Sequence, residues 1–211
     1  MFLFDDVKNS ESINKECQKA DHPIKIYQGD FANNASEKVK ILEKMKVDVA
    51  LFNKVFFEER VSLKNLRVLT SNVITLQGKP VSSPWITTVD NMKVGFFGLN
   101  QFRLLPPKSF SFCCMDLFFT ARKGVKDLRK IGVDFVVLLC SLSEKEILSL
   151  LKKVEGIDLI LSTEKSDRLP FYEKNTLIYF QKDTSRLDLL IEKKQMAQGT
   201  KVEFYPTWRK I

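Results

Sequence analysis

A run of seven residues in the second half of the chain does most to restrict its fold. After an initial aspartate, residues 134–140 (DFVVLLC) are apolar without interruption. A strand with one face in water would alternate apolar and polar residues, so this run predicts a strand that is buried on both faces of a mainly parallel sheet. Helical spacing of apolar residues predicts a helix on each side of it, over 115–131 and over 144–154. Ser143 and Glu146 form the capping box expected at the start of the second helix.

The remaining segments continue this alternation of strands and helices. Further strands are predicted at 24–27, 48–52, 66–73 and 157–161, a helix at 35–46, and a hairpin of 85–89 with 93–99 around Asp90 and Asn91. From residue 175 onward the pattern contains only strands, predicted at 176–180, 186–192 and 201–205. Alternation followed by a run of strands predicts an α/β layered domain with an added antiparallel part. A length of 211 residues is that of a single domain, 1–211.

The composition excludes several kinds of active site. The only histidine is His22, which precedes a proline in a polar segment and is expected at the surface. Histidine-rich zinc sites and the usual form of a binuclear metallohydrolase site are therefore excluded. The four cysteines form no C-x-x-C pair, and no nucleophile elbow, P-loop or dinucleotide-binding glycine motif is present. Carboxylates are numerous, but their spacing selects no catalytic pair.

The chain is basic, with 34 Lys and Arg against 26 Asp and Glu, for a formal charge of +8. Such a balance attracts nucleic acid, anionic lipid or acidic protein, or serves solubility alone. The densest basic group lies on the predicted helix 115–131, where it is typical of a solvated face: Arg122, Lys123, Lys126, Arg129 and Lys130. No apolar run approaches the roughly 18 residues of a membrane span. The first residues, MFLFDDVKNSE, show no signal peptide, which favours the cytoplasm, or the periplasm or export if the chain is a mature form.

Several phrases of the sequence, in this order, resemble the calcineurin-like metallophosphoesterases, and in particular their 5′-nucleotidase-type branch. In chain order they are YQGDF (27–31), VDVALFNKVFF (47–57), LTSNV (69–73), KVGFFGL (93–99), LRKIGVDFVVLLCS (128–141), GIDLILSTEKSD (156–167), TLIYF (176–180) and RLDLLIEKK (186–194). The resemblance covers about residues 24 to 194. Residues 1–23 match poorly, and 176–211 are expected to form the last strands of the same domain.

The resemblance implies a four-layered α/β/β/α sandwich with a two-metal site at the carboxyl ends of the strands. In that family two metal ions activate a bridging water and hold the phosphoryl oxygens. A bridging aspartate, an asparagine, several histidines and a His–Asp pair carry the chemistry.

The matching positions of this chain depart from that set. Asp30 matches the bridging aspartate and Asn53 the asparagine, but the catalytic histidine is replaced by Lys54. The partner of that histidine falls near Phe57, which cannot orient a proton donor. Ser141 stands where the family has a metal-binding histidine.

The last two family histidines are also missing. Their Gly-His-x-His phrase matches residues 163–166 (TEKS), which contain Glu164 and Lys165. Asp5 is the only candidate match to the first Asp-x-His phrase. Lys54 and Lys165 add positive charge where metal ions would sit, and they are candidates for binding an anionic group. We therefore expect no tight binuclear site and no cofactor, and the remnant metal positions are Asp30 and Asn53, with Asp5 and Glu164 as weaker candidates.

Three functions follow from these expectations. The first is a pseudoenzyme domain that binds a protein partner or has a structural role. Phenylalanine doublets at 56–57, 96–97 and 118–119 offer it an aromatic surface if one member of each faces outward. The second is a phosphoesterase with one Mg²⁺ or Mn²⁺ held by the oxygen atoms of Asp5, Asp30, Asn53 and Glu164. The third is a basic nucleic-acid-binding protein, whose affinity would fall steeply with salt.

Overall fold

The fold is taken from a computed structural model, which describes residues 2–4, 15, 17–18, 23–27, 35–51, 66–101, 112–166, 168–181, 185–196 and 199–210. Among these residues, the helices with described bounds are α1 (Ala35–Lys44), α2 (Leu117–Lys130) and α3 (Glu144–Leu151). None of them is long and apolar enough to cross a membrane. The strands are β1 (Phe2–Phe4), β2 (Lys25–Tyr27), β3 (Val49–Leu51), β4 (Val68–Leu69), β5 (Val73–Thr75), β6 (Trp85–Val89), β7 (Met92–Leu99), β8 (Phe112–Cys114), β9 (Phe135–Cys140), β10 (Leu159–Lys165), β11 (Phe171–Glu173), β12 (Thr176–Gln181), β13 (Ser185–Met196) and β14 (Gly199–Lys210).

The described strands form two six-stranded sheets and one small two-stranded sheet. The first sheet has the order β14-β13-β1-β2-β3-β4, and the second has the order β11-β12-β10-β9-β7-β6. Strands β1 to β4 are mutually parallel in the first sheet, as are β7, β9, β10 and β12 in the second. The added strands β13, β14, β6 and β11 are antiparallel to their neighbours. This confirms the predicted α/β class with an antiparallel part.

The two large sheets share an apolar core. Side chains of β2, β3 and β4 pack in one cluster with side chains of β7, β9, β10 and β12. The other face of the second sheet packs against α2 and α3. Helix, sheet and sheet therefore form three successive layers. The fourth layer of the predicted sandwich, a helical layer over the first sheet, stays a prediction, as does the division into domains.

Strand β9 lies at the centre of the second sheet, as its sequence predicts. Each of its six residues, FVVLLC, is completely buried. Phe135, Val137 and Leu139 face the first sheet, whereas Val136 and Leu138 face the helices. The doublet Phe96-Phe97 divides in the same way, so both of its rings are buried and it supplies no outward aromatic surface.

The predicted turns and caps have local causes that the structure confirms. Asp90 and Asn91 have φ angles of 46° and 63°, the left-handed values that a two-residue hairpin of type I′ requires. Helix α2 begins where Asp116 accepts a hydrogen bond from the Phe119 N–H at 2.7 Å, and it ends just before Gly132, whose φ is 77°. Helix α3 begins with the predicted capping box, in which Glu146 accepts from the Ser143 N–H at 2.9 Å.

One predicted element was wrong, and one described strand was not predicted. The single strand expected over 66–73 is divided, because the chain bends at residues 71–72 and passes from the first sheet into the small sheet of β5 and β8. Residues 2–4, which no pattern assigned, form β1 and pair with both β2 and β13. The structure of these short segments is decided by their pairing with strands elsewhere in the chain. The periodicity of the local sequence does not reveal that pairing.

The basic helix α2 contains one residue that is not part of a solvated face. Arg129 is half-buried, and its guanidinium donates to the backbone oxygens of Val133 and Asp134 at 3.1 and 2.7 Å. It also pairs with Asp158 at 2.6 Å, and that carboxylate accepts from the Val136 N–H at 2.6 Å. Burial raises the pKa of Asp158 above its ordinary value, although the hydrogen bonds and Arg129 act in the opposite direction. Arg129 thus ties the end of α2 to the starts of β9 and β10.

Candidate functional site

Parallel strands of both sheets end at the edge where the resemblance predicts a metal site. In the second sheet, β7 is followed by Asn100 and Gln101, β9 is followed by Ser141, and β10 ends in Glu164 and Lys165. Because β9 lies between β7 and β10 in parallel register, these carboxyl ends are neighbours. Binding sites of α/β proteins commonly lie at this edge of a sheet.

Ser141, which the resemblance predicts to stand where the family has a histidine, has a side chain that is hydrogen-bonded within the protein. It is 2% exposed, and its Oγ accepts a hydrogen bond from the Gln101 N–H at 2.9 Å. A neutral hydroxyl is a weak ligand for a transition metal compared with imidazole. This hydroxyl fixes the start of the segment that follows β7.

Glu146 extends this hydrogen-bonded network. Its carboxylate accepts from the backbone N–H and the hydroxyl of Ser143, at 2.9 and 2.6 Å, and also from the side-chain amide of Gln101. The carboxylate that caps α3 therefore also holds the residue that follows β7. The sequence predicts the capping role from the spacing of Ser143 and Glu146, whereas the contact to Gln101 spans 45 positions and leaves no local signal.

The thiol of Cys140, next to Ser141, is unreactive at neutral pH. Burial raises the pKa of its thiol to about 12, and the negative charges of Glu146 and Glu164 add to that rise. Thiolate is the form that binds metal and attacks electrophiles. Cys140 therefore acts as a small apolar side chain at this edge.

Asn72 and Asn100 join the two sheets beside this network. The Asn72 Oδ1 accepts from the Asn100 N–H and the Asn72 Nδ2 donates to the Asn100 O, both at 2.9 Å. The Asn100 amide group also donates to the Thr70 hydroxyl at 2.9 Å. All three residues are at most 2% exposed. Since Thr70 follows β4 and Asn100 follows β7, this set links the first sheet to the second.

A glycine permits the close approach of these two strands. The Ser71 N–H donates to the Gly98 O at 2.7 Å. A Cβ atom at Gly98 would lie 2.5 Å from the backbone oxygen of Leu69, which is a severe overlap. The phrase LTSNV and the end of KVGFFGL thus meet, and together they form the framework of the site edge.

Glu164 and Lys165 are exposed at the end of β10. The Glu164 N–H donates to the Ser162 hydroxyl at 3.2 Å, and that buried hydroxyl donates to the Leu142 O at 2.7 Å. The backbone at this point is therefore fixed, while both charged side chains extend into solvent. They bring one negative and one positive charge to the edge.

The other predicted site residues lie outside the described part of the chain: Asp5, Asp30, Asn53 and Lys54. His22 and the doublet 56–57 also lie outside it. Among the residues that the structure describes, no group of three or more His, Cys, Asp or Glu could hold a metal ion. The described strand ends bring together hydroxyls, amides and the carboxylate of Glu146, which is already hydrogen-bonded.

Sequence reasoning missed Thr70, Asn72, Asn100 and Gln101. Polar residues directly after apolar strands are the only signal for them in the sequence. Such residues are common in loops, so the signal does not separate a buried network from a solvated turn.

Solved structures have the same fold at low sequence identity. A sulfate thiohydrolase, SoxB, from Thermus thermophilus superimposes with a TM-score of 0.72 at 19% identity, covering 95% of this chain and 42% of that one. A putative 5′-nucleotidase from Staphylococcus aureus gives a TM-score of 0.74 at 14% identity, covering 95% and 48%. The calcineurin-like phosphoesterase YfkN from Bacillus subtilis gives 0.68 at 14% identity, covering 97% and 81%.

These likenesses confirm the predicted fold, that of the calcineurin-like phosphoesterases and 5′-nucleotidases. The chain spans about half the length of the SoxB and Staphylococcus structures. No protein-family model and no curated protein sequence matches it. The likeness therefore concerns the architecture.

Proposed function

We propose that this chain is a non-catalytic metallophosphoesterase-like domain that acts as a protein-binding or structural module. The main support is Ser141, which the resemblance matches to a metal-binding histidine and whose side chain is buried and hydrogen-bonded. Its buried hydroxyl already accepts a hydrogen bond from the Gln101 N–H. A metal at this position would have to bind a neutral, engaged oxygen in place of an imidazole nitrogen.

The charges predicted for the rest of the site point the same way. Lys54 and Lys165 would stand where the family places groups around two dications, and like charges repel. Glu164 supplies a single exposed carboxylate against them. The lysines fit an anionic group of a partner better than a cation.

The alternative is a hydrolase with one hard metal ion held by oxygen atoms. Asp5, Asp30, Asn53 and Glu164 would be its ligands, and Mg²⁺ or Mn²⁺ would be its metal. The exposed position of Glu164 favours this alternative, because an exposed carboxylate is accessible to a metal ion.

Hydrolysis of bis-p-nitrophenyl phosphate and of a 5′-nucleotide, with Mn²⁺ or Mg²⁺ added, separates these two functions. We expect the wild-type chain and the Asp30→Ala variant to give the same background rate. A rate that depends on metal and is lost in Asp30→Ala would contradict the proposal and support the hydrolase.

The binding role is tested by comparing two pairs of charge variants. A partner captured by the wild-type chain should be lost with Glu164→Ala/Lys165→Ala, which alters the site edge. It should be retained with Lys40→Ala/Lys44→Ala, which removes exposed lysines from α1. If both double variants retain the partner equally, the site edge is not part of the proposed interface.

A further inference from the structure

Strand β6 lies at one edge of the second sheet and lacks the features that commonly protect such an edge. The other edge strands of the two described large sheets are β14, β11 and β4. Strand β14 contains Pro206 and several charged residues, β11 has three residues and β4 has two. Prolines, charges and shortness each discourage pairing with a further strand. Strand β6 (WITTV) has five residues, and none of them is charged or a proline.

The backbone groups of β6 that point away from β7 belong to Ile86 and Thr88. A two-residue hairpin bonds the residues on either side of its turn to each other, and bonded pairs then alternate along the ladder. Thr88, opposite Lys93, is therefore not bonded to β7. Lys93 confirms this, because its N–H and C=O bond to Asp134 on the β9 side at 2.8 and 2.9 Å. Ile86 and Thr88 are exposed, and their backbones form no hydrogen bond with any residue that the structure describes.

The side chains of β6 suit the pairing of this strand with a second copy of itself. A two-fold axis at Thr87 would place Ile86 of each copy opposite Thr88 of the other, so that the outward N–H and C=O groups meet. Trp85 would lie opposite Val89 of the second copy, and the two Thr87 side chains would meet at the axis. Every cross-strand pair would then join β-branched or aromatic residues, the types that pair most favourably in sheets.

The charges at the two ends of β6 also favour a second copy as the occupant of this edge. At the start of the strand, Arg67 is exposed, and its guanidinium carbon lies 5.0 Å from the centre of the Trp85 ring. At its end, Asp90 is exposed and directly follows the last strand residue. A two-fold axis reverses the strand and brings Arg67 of each copy to the end that carries Asp90 of the other, where opposite charges attract. Lys93 is on β7, one strand farther from this contact.

We propose that two copies of this chain associate through β6 in antiparallel order and join their second sheets into one continuous sheet. The outward backbone groups of Ile86 and Thr88 supply the hydrogen bonds, and Arg67 and Asp90 set the direction of pairing. An interface of two five-residue strands is small, so the dimer forms at high protein concentration. The proposal does not depend on the pseudoenzyme assignment, because β6 lies at a side of the sheet and not at the candidate site.

Sedimentation velocity of the full chain between about 10 and about 500 µM tests this association. We expect the apparent mass to rise with concentration from the 24.4 kDa of one chain toward twice that value. Asp90→Asn removes the carboxylate, and asparagine keeps the left-handed turn. This variant should associate about fivefold more weakly, and the difference should shrink at high salt. A monomer at every concentration overturns the proposal and leaves this edge to a strand from a different protein.

Substitution of the residue at the axis separates self-pairing from every other use of the edge. Thr87→Lys and Thr87→Asp each place two like charges opposite one another, so each variant alone should be monomeric. An equimolar mixture of the two should associate again, because a lysine then faces an aspartate. Melting curves confirm that both variants are folded. If either variant alone associates as the wild type does, or if the folded mixture stays monomeric, the proposal is overturned.

Discussion

Replacing Asn72 with alanine should destabilise the whole fold, because this side chain joins the two sheets. The substitution removes two hydrogen bonds of 2.9 Å to the backbone of Asn100. It also leaves the Asn100 N–H and C=O buried without these partners. An unsatisfied buried backbone group costs about 1–3 kcal/mol, so the free energy of unfolding should fall by about 2–5 kcal/mol. In a chain of this size the melting temperature should fall by about 5–15 °C.

Urea unfolding followed by circular dichroism measures this loss, with calorimetry as a second method. Asn175→Ala is the matched control, because Asn175 is exposed in the turn before β12 and its substitution should change stability by less than about 0.5 kcal/mol. If Asn72→Ala loses no more than the control, the reasoning that this pair clamps the sheets is refuted.

Three further predictions concern single residues elsewhere in the fold. Gly98→Ala should lower the melting temperature strongly, since its Cβ would lie 2.5 Å from the Leu69 backbone oxygen; an unchanged melting curve would argue against that contact. A thiol reagent such as Ellman's reagent should label one cysteine rapidly in the folded chain, because Cys113 is exposed and the other three are buried or half-buried; a fast phase that survives in Cys113→Ser would contradict this. Burial raises the pKa of Asp158, so the folded chain binds that proton more tightly than the unfolded chain. The stability of wild type relative to Asp158→Asn should therefore be greatest at low pH and fall as pH rises through the pKa of Asp158 in the folded chain. Urea titrations of both proteins at about pH 4 and about pH 7 measure the direction of this change.

Elements with a local cause could be predicted from the sequence. The continuous apolar run at 134–140 predicts a fully buried strand, and β9 is one. The hairpin at Asp90-Asn91 and the capping box of α3 depend on residues within a few positions of one another. Their physical causes are turn chemistry and short-range hydrogen bonds, which the sequence displays directly.

Elements with a distant cause could not be predicted in this way. Strand β4 contains two residues, and the polar residues that follow it bond to Asn100, which is 28 to 30 positions away. Strand β1 forms by pairing with β2 and with residues 185–186. In both cases the stabilising partner lies in another part of the chain. The local pattern of apolar and polar residues therefore does not predict the contact.

The same distinction between local and distant causes applies to the candidate site. The resemblance correctly predicts a fold in which the ends of β7, β9 and β10 meet, and Ser141 and Glu164 lie at those ends. The hydrogen bonds of Ser141 and Glu146 to Gln101 come from tertiary contacts over 40 and 45 positions. The sequence predicts that Ser141 replaces a ligand of the family, whereas its hydrogen bond to Gln101 could be found only from the fold.

Metal content tests the central claim most directly. Untagged protein would be incubated with Mn²⁺ and Zn²⁺, desalted, and analysed by elemental mass spectrometry beside the Asp30→Ala variant. We predict well under one ion per chain in both proteins, because the resemblance predicts that groups which bind metal poorly replace the imidazole ligands. One or two tightly held ions per wild-type chain, lost in Asp30→Ala, would contradict the account and restore a metal-dependent hydrolase as the better description.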